Sequence, residues 1–312
     1  CVRLQMIKLL VNKLALIVIS IPFLHWLGIL YARNHPRFGA SSFRRNSVNT
    51  ELTYVDYLQK VLAGDLGQVG LVPISELIYQ PFWNSLVLIG FAVVTTAVLG
   101  SLIGFLSISK KTMRVRPWGL ILTTAGSSIP GFLLGGVVIS ILVYQTLYNG
   151  LSKTPLPMSG YGIDEHLILP MVVLAVRPTL HVSKVTASLL ESELQKNYIR
   201  TARSKGAYWS RIFWNHAFRN IIAPVIVVIG QSMRLIVGGL LIAEMMFLWP
   251  GIGRFFVYSI AANENLQGQF QYFAHPELIA ILSVIMGVLL LTADLIASVC
   301  TYLADPRLRE DQ

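Results

Sequence analysis

The chain has 312 residues, 54% of them hydrophobic and only 13% charged, with a mean hydropathy of +0.63 and a net charge of +10. A soluble domain carries about 25% charged residues, so a water-soluble globular enzyme is excluded and an all-α integral membrane protein is expected. The basic residues fall between apolar runs rather than in one patch, which argues against nucleic acid and assigns the excess to topology and anionic lipid. The two cysteines, Cys1 and Cys300, offer no metal-ligand spacing and no disulfide framework. No metal and no cofactor are expected.

A helix needs roughly 20 apolar residues to cross the hydrocarbon core. Six stretches reach that length, near 9–31, 84–107, 118–146, 166–188, 222–247 and 278–303. The first is too long for a signal-peptide core and has no small-residue cleavage site after it, so it reads as a retained span. Segment 32–83 is polar from Ser41 to Asn49, then amphipathic at Tyr54, Tyr57, Leu58, Val61 and Leu62. It is expected to form a small external subdomain. The chain thus divides into a first transmembrane helix (1–31), the external segment (32–83) and a five-helix core (84–312) with an inner loop at 188–223. With the N-terminus inside, sixteen Lys and Arg fall on inner segments against seven on outer ones, most of the seven in the long loop. Both termini are therefore expected in the cytoplasm. Gly100, Gly104, Gly135, Gly136, Gly238 and Gly239 suit close helix packing in lipid.

The inner loop is the most informative segment. Leu190, Leu194, Tyr198 and Ala202 recur every four residues, which predicts one stripe on a helix. Gly206 supplies a helix stop. A second helical stretch follows, with Trp209, Phe213 and Ala217 on one side and Arg211, Asn215 and Arg219 on the other, and Pro224 marks entry to the fifth span. Such an elbow is either an interfacial amphipathic segment or a docking element for a cytoplasmic protein.

At Tyr198, Arg200, Thr201, Ala202, Arg203, Lys205, Gly206, His216, Ala217, Arg219, Asn220 and Pro224 the loop resembles the D-Y-V-R-T-A-R-A-K-G, H-A-L-R-N, I-P pattern of binding-protein-dependent ABC importer permeases, in particular the first permease subunit of the dipeptide/oligopeptide/nickel branch. Four further segments resemble that family in chain order: AGDLGQ (63–68), SSIPGFLLG (127–135), GGLLIAEMMFLWPGIGRF (238–255) and ADPRLR (304–309). The chain departs from the pattern in lacking P-G-D after the first span, in the long stretch 264–277, and in carrying Arg234 where the family has a small or apolar residue.

The resemblance implies a type I ABC importer permease fold with a cytoplasmic coupling helix. It implies that the chain sits in the cell membrane as a heterodimer with a second permease subunit, served by two cytoplasmic ATPase subunits and an external solute-binding protein. Leu190, Leu194, Tyr198, Arg200, Thr201, Ala202, Arg203, Lys205 and Gly206 would form the ATPase-coupling element. The chain has no G-x-x-x-x-G-K-[ST] phosphate loop, so it is not expected to be the ATPase or any other enzyme. The cargo would be peptides or a similar small solute, nickel included. An ionisable group inside a span defaults to a functional hypothesis. Arg177 and Arg234 are candidates to line the path and meet a peptide carboxylate or another anion. His181 reads as packing, Lys184 as snorkelling inward, and Asp294 as pairing with a cation on a neighbouring helix. Glu244, Pro250 and Gly251 read as structural or gate elements, with Trp249 in the outer aromatic belt. The alternative is an ion- or proton-coupled secondary transporter using Arg177, His181 and Asp294. It would bring internal hydropathy repeats, and the sequence shows none.

Overall fold

The computed structural model describes residues 2–34, 59–61, 63–69, 71–149, 154–261 and 276–304. The described residues are mostly helical, with one short hairpin and connecting segments: α1 (Val2–Asn34), β1 (Gln68–Val69), β2 (Val72–Pro73), α2 (Ile74–Leu106), α3 (Pro117–Ser128), α4 (Gly131–Tyr148), α5 (Glu165–Leu194), α6 (Asn197–Ser204), α7 (Trp209–Met246), α8 (Ile252–Ala261) and α9 (Pro276–Ala304). Six helices are long and apolar enough to cross a membrane: α1, α2, α4, α5, α7 and α9.

Helix α5 is the hub, packed against α2, α3, α4 and α7, while α9 joins α7 to α1. The α2–α5 crossing is close because α2 presents Gly100 and Gly104 one turn apart. A Cβ on Gly104 would stand 2.7 Å from Thr186 Cβ and 2.9 Å from the Ser183 carbonyl. Lipid tails supply no hydrophobic drive between helices, so such small-residue contacts carry the packing. Of the other glycines expected at helix contacts, Gly135 and Gly239 meet Met246 and Leu174, whereas Gly136 and Gly238 face open space.

Four features differ from the sequence expectation. The third span is not one helix over 118–146, because Ile129 is extended before Pro130 and divides it into α3 and α4; a residue preceding proline is driven from the helical region. The second span starts at Ile74, well before 84, directly after the hairpin. The fifth span does not begin at Pro224: α7 runs through it from Trp209, with a π-helical stretch at Ile212–Phe218. Lys13, one of the sixteen basic residues assigned by sequence to the inner segments, sits inside the first span. The amphipathic residues Tyr54, Tyr57, Leu58 and Leu62, most of 264–277 and the ADPRLR segment beyond Ala304 lie outside the described residues.

Candidate functional site

Three arrangements stand out, and the first is a groove between α3, α4, α5 and α7. Two adjoining cavities of about 410 and 360 Å³ share Arg177, Arg234 and Leu235. Ser127, His181 and Gln231 complete the polar one. The other is largely apolar and includes Pro130, Gly131, Phe132 and Gly238. Thus the Ser-Ile-Pro break that divides the third span borders the groove, where irregular backbone is tolerated inside a membrane. The start of α4 also borders the cavity through Gly131 and Phe132, while the Leu133 and Leu134 N–H groups donate to the Pro130 carbonyl at 3.1 and 3.4 Å. Arg234 Nη1 donates to Asp294 Oδ1 at 2.9 Å, and Asp294 Oδ2 is bonded by Lys13 Nζ. Asp294 therefore ties α1, α7 and α9 together. Arg177 has no ion-pair partner among the described residues.

The second arrangement is a knot around Glu244, which is fully buried near the end of α7. Its carboxylate accepts from the Ser85 hydroxyl on α2 and, at 3.0 Å, from the Arg254 N–H. The Ile252 N–H donates to Ser85 Oγ at 2.8 Å. The Trp-Pro-Gly-Ile-Gly-Arg turn thereby wraps the start of α8 round an acceptor, so a buried carboxyl oxygen meets the positive end of a helix. A side chain on Gly251 would overlap the carboxylate, and a Cβ on Gly253 would lie 3.0 Å from Glu244 Oε2. These contacts explain the E-x-x-F-x-x-P-G-x-G-R spacing. Asn84 donates to the Pro250 carbonyl at 2.8 Å, and Trp249 Nε1 donates to the Asn84 carbonyl at 3.1 Å. Trp249 is fully buried beside Leu88 and Leu240. It is a core residue, not a member of a lipid-facing aromatic belt as its sequence position suggested, because its N–H has a backbone acceptor inside the bundle.

The third arrangement is the elbow. Leu190 and Leu194 end α5, and the chain then breaks at an extended Lys196 before α6. The expected single helix through Leu190, Leu194, Tyr198 and Ala202 is therefore two. Leu190, Leu194 and Ile199 are buried with Met113, Ile212, Phe213 and Ala217 in one apolar cluster, whereas Tyr198 is 40% exposed. Arg200, Thr201, Arg203, Lys205 and Gly206 are exposed, and Ala202 is half-buried. Gly206 has φ +81° and closes α6 with a double turn: its N–H donates to the Arg203 carbonyl at 2.9 Å and that of Ala207 to the Ala202 carbonyl at 3.1 Å. On the next helix Phe213 and Ala217 are buried while Arg211, Asn215 and Arg219 are exposed, matching the periodicity.

Sequence reasoning missed the brace beneath the elbow. Glu193, on the last turn of α5, is buried. It accepts from the Tyr198 hydroxyl, from Asn220 Nδ2 at 2.9 Å and from Lys196 Nζ at 2.6 Å. Asn220 Nδ2 also lies 3.0 Å from the Tyr198 hydroxyl. Partial burial and the bond to Glu193 push the Tyr198 phenol up to about 12. One carboxylate thus joins the end of α5 and the start of α6 to α7. The only signal in the sequence was a buried-type helix end carrying a carboxylate, and its partners are too distant in sequence to be read from spacing.

Residues 96–310 match the profile of the binding-protein-dependent transport system inner membrane component family. The chain is 29% identical over 262 residues to the oligopeptide transport system permease protein AppB of Bacillus subtilis, covering 82% of this chain and 79% of that protein. It is 28% identical over 259 residues to the dipeptide transport system permease protein DppB of Lactococcus lactis, covering 82% and 80%. It is 29% identical over 214 residues to the glutathione transport system permease protein GsiC of Pectobacterium atrosepticum, covering 67% and 66%. The six apolar helices and a matching segment that spans more than half the sequence lead to one conclusion: the chain belongs to the family of inner membrane components of binding-protein-dependent transport systems.

Proposed function

We propose that this chain is one of two permease subunits of an ATP-driven importer of peptides or a similar small solute, with its termini in the cytoplasm. ATP hydrolysis is assigned to two separate subunits, and solute delivery to an external binding protein. The observation that carries the reading is the elbow. Its family-like residues Arg200, Thr201, Arg203, Lys205 and Gly206 project outward, while Ile199 and the Glu193 brace fasten it to the spans on either side. A partner that pushes α6 therefore moves α5 and α7 as rigid levers, and those two helices line the groove holding Arg177 and Arg234. In this reading Arg177 and Arg234 line the translocation path. Glu244, Pro250 and Gly251 hold the opposite end of α7 to α2 and α8, and Asp294 holds it to α1. Peptide cargo is supported by the names of the oligopeptide and dipeptide relatives.

The test is ATP-dependent uptake of a labelled dipeptide by the assembled importer carrying Ala202→Asp or Gly206→Pro. Both changes are expected to abolish uptake with normal membrane insertion: the first places a charge on the docking face, and the second imposes a negative φ where the chain needs +81°. Undiminished uptake in both variants contradicts the coupling role.

A further inference from the structure

The groove holds more positive than negative charge. Arg177 and Arg234 both border it. The acid within reach, Asp294, is divided between Arg234 and Lys13. Arg177, Arg234, Lys13 and Asp294 all lie inside membrane-spanning helices, where unpaired charge is costly. The break at Pro130 adds the start of α4, at Gly131 and Phe132, to the same cavity wall, and a helix start favours negative charge. Guanidinium groups and helix-start N–H groups share a preferred ligand, a carboxylate. Arg234 is nearly half exposed to the groove although bonded to Asp294, so a second anion can reach it.

We infer that the groove selects solutes bearing a free carboxylate, and that Asp294 is the internal counter-ion which such a carboxylate displaces from Arg234, with Lys13 setting how tightly Asp294 competes. The inference rests on the importer reading above and adds a specificity mechanism to it. Arg177 supplies an anchor with no internal competitor, and Arg234 supplies the second bond once Asp294 turns wholly to Lys13. The entering carboxylate lowers the net positive charge of the set: Asp294 stays paired with Lys13, while the carboxylate pairs with the two arginines. Lys13 lies on α1 and Asp294 on α9, neither of which borders the groove. The selectivity of the path is therefore tuned from outside it.

The consequence is an opposite response to two substitutions in one ion-pair set. Asp294→Asn frees Arg234 and lowers KM for a carboxylate solute. Lys13→Met leaves Asp294 to Arg234 alone and raises it. A merely structural triad gives impaired uptake in both variants and no KM shifts of opposite sign. The experiment uses the complete importer in proteoliposomes, presented with a set of short peptides as free acids and as C-terminal amides, with uptake read by mass spectrometry. Free acids are expected to be preferred about tenfold or more, the scale of one charge-assisted bond. Arg177→Gln and Arg234→Gln should each remove most of that preference while amide uptake persists, and Arg234→Lys should keep part of it. Preference unchanged in both glutamine variants belongs to the binding protein and overturns the inference, as do KM shifts of the same sign in the Asp294 and Lys13 variants. Equal uptake of acids and amides by the unmodified importer overturns the inference alone. Uptake of neither overturns the peptide-importer reading with it.

Discussion

Asn220 on α7 and Glu193 on α5 meet through an amide-to-carboxylate hydrogen bond of 2.9 Å, and both also bond the Tyr198 hydroxyl of the elbow helix. This is the point at which the exposed α6 is joined to two spans at once. A buried carboxylate stripped of a donor costs about 1–3 kcal/mol. Asn220→Ala is therefore expected to loosen α6 without unfolding the bundle. Hydrogen exchange of segment 195–206 should quicken about tenfold or more, the rate equivalent of that energy, while helices α2 and α9 exchange as before. Unchanged exchange in the elbow contradicts the brace.

Tyr198 gives the same brace a pH signature. Its folded-state phenol is raised from 10.0 to about 12 by partial burial and by the neighbouring Glu193. A raised folded-state value means that the contribution is complete below pH 10 and is lost as pH climbs from 10 through 12. Ultraviolet difference titration of the protein against Tyr198→Phe should show one phenol ionising about two units above the ordinary range. An ionisation near 10 assigned to Tyr198 rules the hydrogen bond out.

The Glu244 knot predicts an asymmetry between two conservative changes. Gly251→Ala forces a methyl group into the Glu244 carboxylate, and overpacking of this kind costs about 1–3 kcal/mol. Gly90→Ala, with nothing within 4 Å of its new methyl, is expected to be neutral or to stabilise by about 0.5–1 kcal/mol through helix propensity. Thermal unfolding in detergent should lower the midpoint for the first and not for the second. Equal midpoints contradict the knot geometry.

At the α2–α5 crossing, Gly104→Val places branched carbons against Thr186 and the Ser183 carbonyl. The two helices would have to separate, and folded yield in membranes should fall sharply. A normal yield shows that the close approach is not required.

Much of this was legible in the sequence. The six spans follow from length and hydropathy alone, since the bilayer imposes a minimum apolar length on every crossing helix. Gly206 as a stop was readable because it is a local backbone requirement, whereas Glu244, Pro250 and Gly251 were singled out by resemblance, since their contacts with Ser85, Asn84 and Arg254 are tertiary. The divided third span was missed although Pro130 announced it, since continuous apolarity outweighed one proline. The break between Leu194 and Asn197 contains neither glycine nor proline. It exists because Ile199 must enter the apolar cluster with Leu190 and Phe213, a tertiary demand that periodicity does not carry. The same holds for Glu193 with Asn220 and for Lys13 with Asp294, whose partners meet only after the helices have packed. Trp249 was placed in the lipid belt because its burial depends on Asn84 and Tyr161, both remote in sequence.

The most direct measurement is cross-linking from a single cysteine placed at the exposed Ser204, with Cys1 and Cys300 replaced, in membranes containing the whole importer. The account predicts a covalent adduct between this chain and the ATPase subunit, formed from the cytoplasmic side and altered in yield by ATP. Labelling of that cysteine by a membrane-impermeant maleimide from outside intact cells, with no ATPase adduct, would contradict it.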